Sequence, residues 1–200
     1  MNNNVGSVLI VLAVLGGFYF YLQSTSSVAE PAPANTTLAS VATEAPSLQG
    51  IAARFDKHLF VLGPHGDVHG FDSAKLTGVK YFAFYYSASW CPPCRAFTPD
   101  LVQFYNDFKP AHPNFELIFV GRDASDGDMV NYMKSDSMPW PAVWYQDNDD
   151  RALNAKQYMG SGIPDLVLVD AYGRILADSF RGGRYVGPRY VMQEIQQVVP

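Results

Sequence analysis

Cysteine is nearly missing from this chain: two residues in 200, Cys91 and Cys94. A structural zinc site needs about four ligands, and His58, His65, His69 and His112 have no tight ligand spacing to supply the rest. Covalent haem requires a histidine directly after the second cysteine, where this chain has Arg95. A purely structural disulfide stays open as a reading, although a bond across so short a loop restrains little of the unfolded chain. Basic residues are also few. Fourteen Lys and Arg stand against nineteen Asp and Glu, for a net charge of -5, and none of the basic residues precedes Arg54. The chain therefore has no general positive field for nucleic acid. No internal repeat is visible.

What is present centres on Trp90-Cys91-Pro92-Pro93-Cys94. The run Tyr81-Phe82-Ala83-Phe84-Tyr85-Tyr86 before it is aromatic and strand-forming. After it, Phe97, Leu101, Phe104, Tyr105 and Phe108 recur at helical spacing. Two cysteines at a strand-to-helix junction read as a dithiol that opens and closes. Unpaired N–H groups and the positive dipole end of a helix favour a thiolate there, and the thiolate is the species that attacks disulfides. Cys91 is thus expected as the exposed nucleophile and Cys94, one turn inward, as the resolving thiol. Pro92 and Pro93 suit a first helical turn, which has no intrahelical N–H bond to lose. Pro99 should deprive the Arg95 carbonyl of its partner and kink the helix as it continues to about Phe108.

The string Ser87-Ala88-Ser89-Trp90-Cys91-Pro92-Pro93-Cys94-Arg95-Ala96-Phe97-Thr98-Pro99, with Met138-Pro139-Trp140 and Gly162-Ile163-Pro164, resembles the tryparedoxin and nucleoredoxin branch of the thioredoxin superfamily. The likeness runs from about Lys57 to the C-terminus. It implies an α/β thioredoxin fold, a central mixed sheet flanked by helices, and thiol–disulfide exchange. It also implies a cis Ile163–Pro164 bond facing the dithiol, with the Ile163 backbone free to pair with a substrate strand. Two positions depart from familiar patterns. Ordinary thioredoxins carry a buried aspartate where Tyr85 stands, a change that suits the tryparedoxin branch. Family members usually have threonine where this chain has Asp165. Two expectations follow for Asp165: it lies near the sulfurs, raising the Cys91 pKa or accepting the Cys94 proton, or it turns to solvent at a strand start.

Residues 5–22 form an uncharged apolar run of about eighteen residues, about 27 Å as a helix against a hydrocarbon core of about 30 Å. That length favours a retained transmembrane anchor over a cleaved signal segment, whose apolar region is usually about 7–15 residues. Ser27-Val28-Ala29 nevertheless offers a cleavage site. With no basic residue on either flank, the positive-inside rule has little to act on. The short N-terminus more naturally stays inside, leaving the large domain exported. Residues 23–46 are rich in Ser, Thr, Ala and Pro and lack aromatics, so they read as a flexible, disordered tether. The expected organisation is an anchor or signal segment at 1–22, a linker at 23–46 and a thioredoxin-like domain at 47–200.

Within that domain the pattern predicts a hairpin from 59–62 and 68–71, and a short helical element at 72–76 closed by Gly78. Strands follow at 81–86 and 115–120, with helices at 93–108, 125–134 and 151–158 and a short extended piece within 139–145. A second hairpin pairs 166–169 with 175–178, and residues 186–198 close the domain as a helix. Beside the cysteines, Trp90, Pro92, Pro93, Ile163, Pro164 and Asp165 are expected to support the site, and Trp140 and Arg95 are candidates for substrate docking. Each has a plainer reading as core or solvated surface. Arg174, Arg181, Arg184 and Arg189 read as a solvated face.

These readings point to a protein-disulfide oxidoreductase, with reduction favoured by analogy with family members that hold proline between their cysteines. Its domain would sit on the periplasmic or extracytoplasmic side of a membrane, or be secreted after signal cleavage. It would use no cofactor or metal beyond the redox-active Cys91–Cys94 pair. An exported dithiol stays oxidised unless electrons reach it, so a membrane-associated donor is expected as a partner, alongside protein disulfide substrates and no nucleic acid. Three alternatives are a redox-responsive binding module with little turnover, a dedicated reductase for one client such as apocytochrome c, and a metal carrier using the dithiol as soft ligands.

Overall fold

The computed structural model describes residues 48–200. The expected anchor at 1–22 and tether at 23–46 lie outside the described residues. Among the described residues no helix is long and apolar enough to cross a membrane.

After a short helix α1 (Gly50–Arg54), strands β1 (Leu59–Leu62) and β2 (Val68–Gly70) form the predicted hairpin. A 3₁₀ turn at Ser73–Leu76 follows, capped by the Asp72 carboxylate on the Ala74 N–H. Next come β3 (Tyr81–Ser87), α2 (Pro92–Phe108), β4 (Phe115–Gly121), α3 (Asp126–Ser135) and β5 (Ala142–Val143). The chain closes with β6 (Asp165–Asp170), β7 (Ile175–Asp178), a small ribbon of β8 (Phe180–Arg181) and β9 (Arg184–Tyr185), and α4 (Pro188–Val198). The main sheet has the order β2-β1-β5-β4-β3-β6-β7. It is mixed: β3 runs parallel to β4 and antiparallel to β6.

β3, β4 and β6 read as nearly continuous apolar runs because both of their faces are covered. On one face Ala83, Tyr85, Leu117, Leu166 and Leu168 pack with Phe97 and Leu101 of α2, Met133 of α3, and Val191 and Ile195 of α4. On the other, Phe82, Phe84, Tyr86, Val120 and Val167 pack with Ile51 of α1 and with Leu153 and Tyr158. Ser125 caps α3, its Oγ accepting the Asp128 N–H.

The helix expected at 151–158 is not formed; the segment is a chain of turns. Asp150 Oδ1 accepts from the N–H groups of Ala152 and Leu153 at 2.7 and 2.8 Å, and Asn154 sits at φ 48°. Local side-chain capping and a left-handed residue thus displace the helical ladder. The segment α1 and the β8–β9 ribbon carry no pattern that the sequence reading caught.

Candidate active site

Both sulfurs are delivered by the turn between β3 and α2. Cys91 occupies the N-cap of α2, with Pro92 and Pro93 in the first turn as the missing N–H groups allow. Its Sγ accepts from the Cys94 N–H at 3.3 Å, and its carbonyl accepts from the Arg95 N–H at 3.1 Å. The sulfur therefore takes the place that a capping oxygen usually fills, at the positive end of a seventeen-residue helix. Cys91 and Cys94 are joined as a disulfide, with Cα atoms 5.2 Å apart. Cys91 is not the solvent-facing residue that was expected. It is 4% exposed and Cys94 is fully buried, because the bonded pair is packed under Ala88 and Ile163. The small exposed surface of the pair belongs to Cys91.

The Ile163–Pro164 bond is cis, and the Ile163 carbonyl oxygen lies 3.8 Å from Cys91 Sγ. Trp90 is 63% exposed at the rim. Its indole Nε1 donates to the Arg122 carbonyl at 3.1 Å, while Asp123 Oδ1 accepts from both the N–H and the Oγ–H of Ser89 at 2.8 and 2.7 Å. This clamp was missed from sequence. Ser87 and Gly121 are register partners at the ends of neighbouring strands, so only the pairing of β3 with β4 brings residues 122–123 under the cysteine loop.

The remaining candidates divide. Pro92 and Pro93 are exposed. Pro93 borders an apolar cleft of about 320 Å3 shared with Phe97, Pro164, Tyr185 and Val186. Arg95 is exposed on α2 beside a polar cleft with Ser89, Asp128 and Tyr132. Trp140 is a correction: it is fully buried, edge-on to Tyr85 and Tyr105 at 6.2 and 5.5 Å, and belongs to the core rather than to a docking rim. Of the late arginines, Arg174 pairs with Asp170, Arg189 with Asp100, and Arg181 lies over Tyr190. His58 pairs with Asp147, His69 with Asp67, and His112 stacks on Phe108.

Beneath Cys94, where the sequence places Tyr85, the structure holds a closed hydroxyl network. Thr98 Oγ1 donates to the Cys94 carbonyl at 3.0 Å and also meets Tyr85 Oη at 2.8 Å and Tyr132 Oη at 2.6 Å. Thr98 has one hydroxyl proton, and the carbonyl takes it. Both tyrosines must therefore donate to Thr98, and Ser87 Oγ, 3.0 Å from Tyr132 Oη, must donate to that tyrosine. Every proton in the chain points toward Cys94. Burial pushes the hydroxyls of Tyr85 and Tyr132 further up from their ordinary values, so both stay protonated at neutral pH and neither serves as a base for the Cys94 thiol.

Asp165 is fully buried, which rules out the solvent-turned reading. Its Oδ2 accepts from the Gly160 N–H at 2.7 Å, and its Oδ1 has no hydrogen-bond partner. Among the described residues it makes no hydrogen bond to either sulfur. Burial raises its pKa to about 6, opposed by the Gly160 N–H and reinforced by Asp178.

The thioredoxin-like family profile matches residues 78–175, spanning β3 through the start of β7. Tryparedoxin of Trypanosoma brucei brucei is 32% identical over 124 residues, covering 62% of this chain and 81% of that one. The chain belongs to the tryparedoxin and nucleoredoxin branch of the thioredoxin-like family. Nucleoredoxin of Homo sapiens is 40% identical over 105 residues, covering 52% of this chain but 23% of that longer protein. The match thus spans about a quarter of the length of that relative. Among solved structures, tryparedoxin II from C. fasciculata aligns with a TM-score of 0.51 at 32% identity, over 66% of this chain and 87% of that one. Thioredoxin from Wuchereria bancrofti aligns with a TM-score of 0.52 at 29% identity, over 78% of this chain and all of that one. The chain thus carries a thioredoxin-like domain whose two cysteines, Cys91 and Cys94, are joined as a disulfide.

Proposed function

We propose that the chain reduces protein disulfides on the exported side of a membrane, held there by residues 5–22 and reaching its substrates through residues 23–46. The observation that carries the exchange chemistry is the placement of Cys91 Sγ as the N-cap of α2, accepting the Cys94 N–H. A sulfur so placed is favoured as an anion. In the reduced protein the Cys91 thiolate attacks a substrate disulfide, forming a mixed disulfide and releasing one substrate thiolate. Cys94, deprotonated, then attacks Cys91 Sγ, releases the second substrate thiolate and restores the disulfide seen here. Each turnover delivers two electrons to the substrate, so a membrane-associated dithiol donor must return two electrons and two protons to the pair. No cofactor beyond the two sulfurs enters the scheme, and nucleic acid is no partner.

Support for docking comes from Trp90 at the rim, the apolar cleft beside Pro93 and Pro164, and the Ile163 carbonyl near the sulfur. In cells, Cys94→Ser should accumulate mixed disulfides on Cys91, resolved by non-reducing electrophoresis and identified by mass spectrometry. Capture of many envelope proteins fits a general reductase, and one dominant species a dedicated one. The absence of any adduct, together with no insulin reduction by the wild-type protein, would defeat the exchange reading.

A further inference from the structure

Three observations converge on the strand that follows the cis bond. Asp165 opens β6 directly after Pro164, and its side chain is sealed from solvent. One carboxylate oxygen receives the Gly160 N–H at 2.7 Å, while the other has no partner. The segment between these two residues carries Ile163, whose carbonyl stands 3.8 Å from Cys91 Sγ. The groups facing the carboxylate are Tyr86 of β3, Asp178 of β7, Ser179 and Tyr185 of β9. None is a cation, so no ion pair explains the buried acid. Tyr185 reaches the same segment and donates to the Pro164 carbonyl at 2.8 Å.

We propose that Asp165 is a positioning residue for disulfide exchange: its carboxylate draws in Gly160 and so fixes the 160–164 segment against the cysteine pair. The inference rests on the exchange activity proposed above. An ionised acceptor makes the Gly160 bond charge-assisted, roughly twice as strong as its neutral counterpart. Protonation removes the charge and weakens that bond. The segment is therefore held more firmly above the carboxyl pKa, which burial places at about 6, than below it. The role differs from direct proton exchange with a sulfur: Asp165 acts through Gly160 and Ile163.

The test uses the full-length protein in detergent, as wild type, Asp165→Asn and Asp165→Leu. The Gly160 amide resonance should move with pH through a midpoint near the Asp165 pKa in the wild type and stay flat in Asp165→Asn. At neutral pH, Asp165→Leu should raise KM for a protein disulfide about tenfold, the effect of losing one charge-assisted hydrogen bond. Alkylation of reduced Cys91 by iodoacetamide should be unchanged, and Asp165→Asn, which keeps an acceptor oxygen, should recover most of the KM. A Gly160 resonance insensitive to pH in an active wild-type protein overturns the inference alone. So does an equal loss of alkylation rate and protein-disulfide turnover in Asp165→Leu. Should Asp165→Leu fail to fold, the Gly160 titration decides by itself. A wild-type protein without exchange activity overturns the functional reading instead, whatever Gly160 does.

Discussion

At the scale of single residues, the direction of protons around Thr98 makes two substitutions unequal. Thr98→Val removes the oxygen that receives both Tyr85 and Tyr132; Tyr132 can turn its proton to Ser87 Oγ, but Tyr85 is left a stranded buried donor at about 1–3 kcal/mol. Tyr85→Phe removes one donor from an oxygen that keeps Tyr132 and the Cys94 carbonyl, so it strands nothing and should cost about 1 kcal/mol. Urea unfolding of the two variants should show Thr98→Val as clearly the worse. Asp165 gives a pH-dependent counterpart. Its folded pKa is raised to about 6, so its contribution to stability is full below the unfolded carboxyl pKa and is lost as pH rises through about 6. Asp165→Asn should therefore gain stability over the wild type at pH 8, on the order of 2–3 kcal/mol, and lose that advantage near pH 4. Thermal unfolding at the two pH values checks it. Cys91, Cys94 and Pro164 were legible because their signals lie within short strings. Asp123, Tyr132 and Gly160 were not, since each meets its partner only after distant segments pair or fold back.

At the scale of elements, long periodic segments were read well. α2, β3, β4 and the β6–β7 hairpin fall within a residue or two of expectation: burial of one face gives α2 its helical period, and burial of both faces forces apolar runs in β3, β4 and β6. The 151–158 segment was misread for a local reason: Asp150 caps its own turn, and Asn154 accepts a left-handed φ. Of the two readings of Trp140, docking candidate and plain core, the fully buried indole supports the core one, with the MPW loop turned inward. This turn-rich segment ends at Gly160, whose added methyl would strike the ring of Phe180 in β8. Gly160→Ala should push that ring aside and disturb the Asp165 contact, costing about 1–3 kcal/mol as overpacking does. Chemical denaturation measures the loss. Faster hydrogen exchange confined to 158–165 and 179–186 would locate it.

At the scale of the described unit, the mixed sheet gives the molecule two poles. β3 starts where Tyr81 pairs with Asp170 and ends at Ser87 beside the cysteine turn, a rise of about 20 Å over its length. The cleft next to Pro93 and Pro164 is closed by Gly187 and Pro188, where α4 begins. At the other pole, the Ile51 N–H donates to the Ala171 carbonyl at 2.8 Å, and Val198 near the end of α4 lines a cleft with Tyr81 and Tyr172. Leu48 borders Ala171 and Tyr172 as well. Both extremities of residues 48–200 thus emerge far from the sulfurs. Such an arrangement makes the unit a plug-in cartridge: splicing it between neighbours in a larger polypeptide, or grafting either end to a solid support, leaves the reactive tip unobstructed.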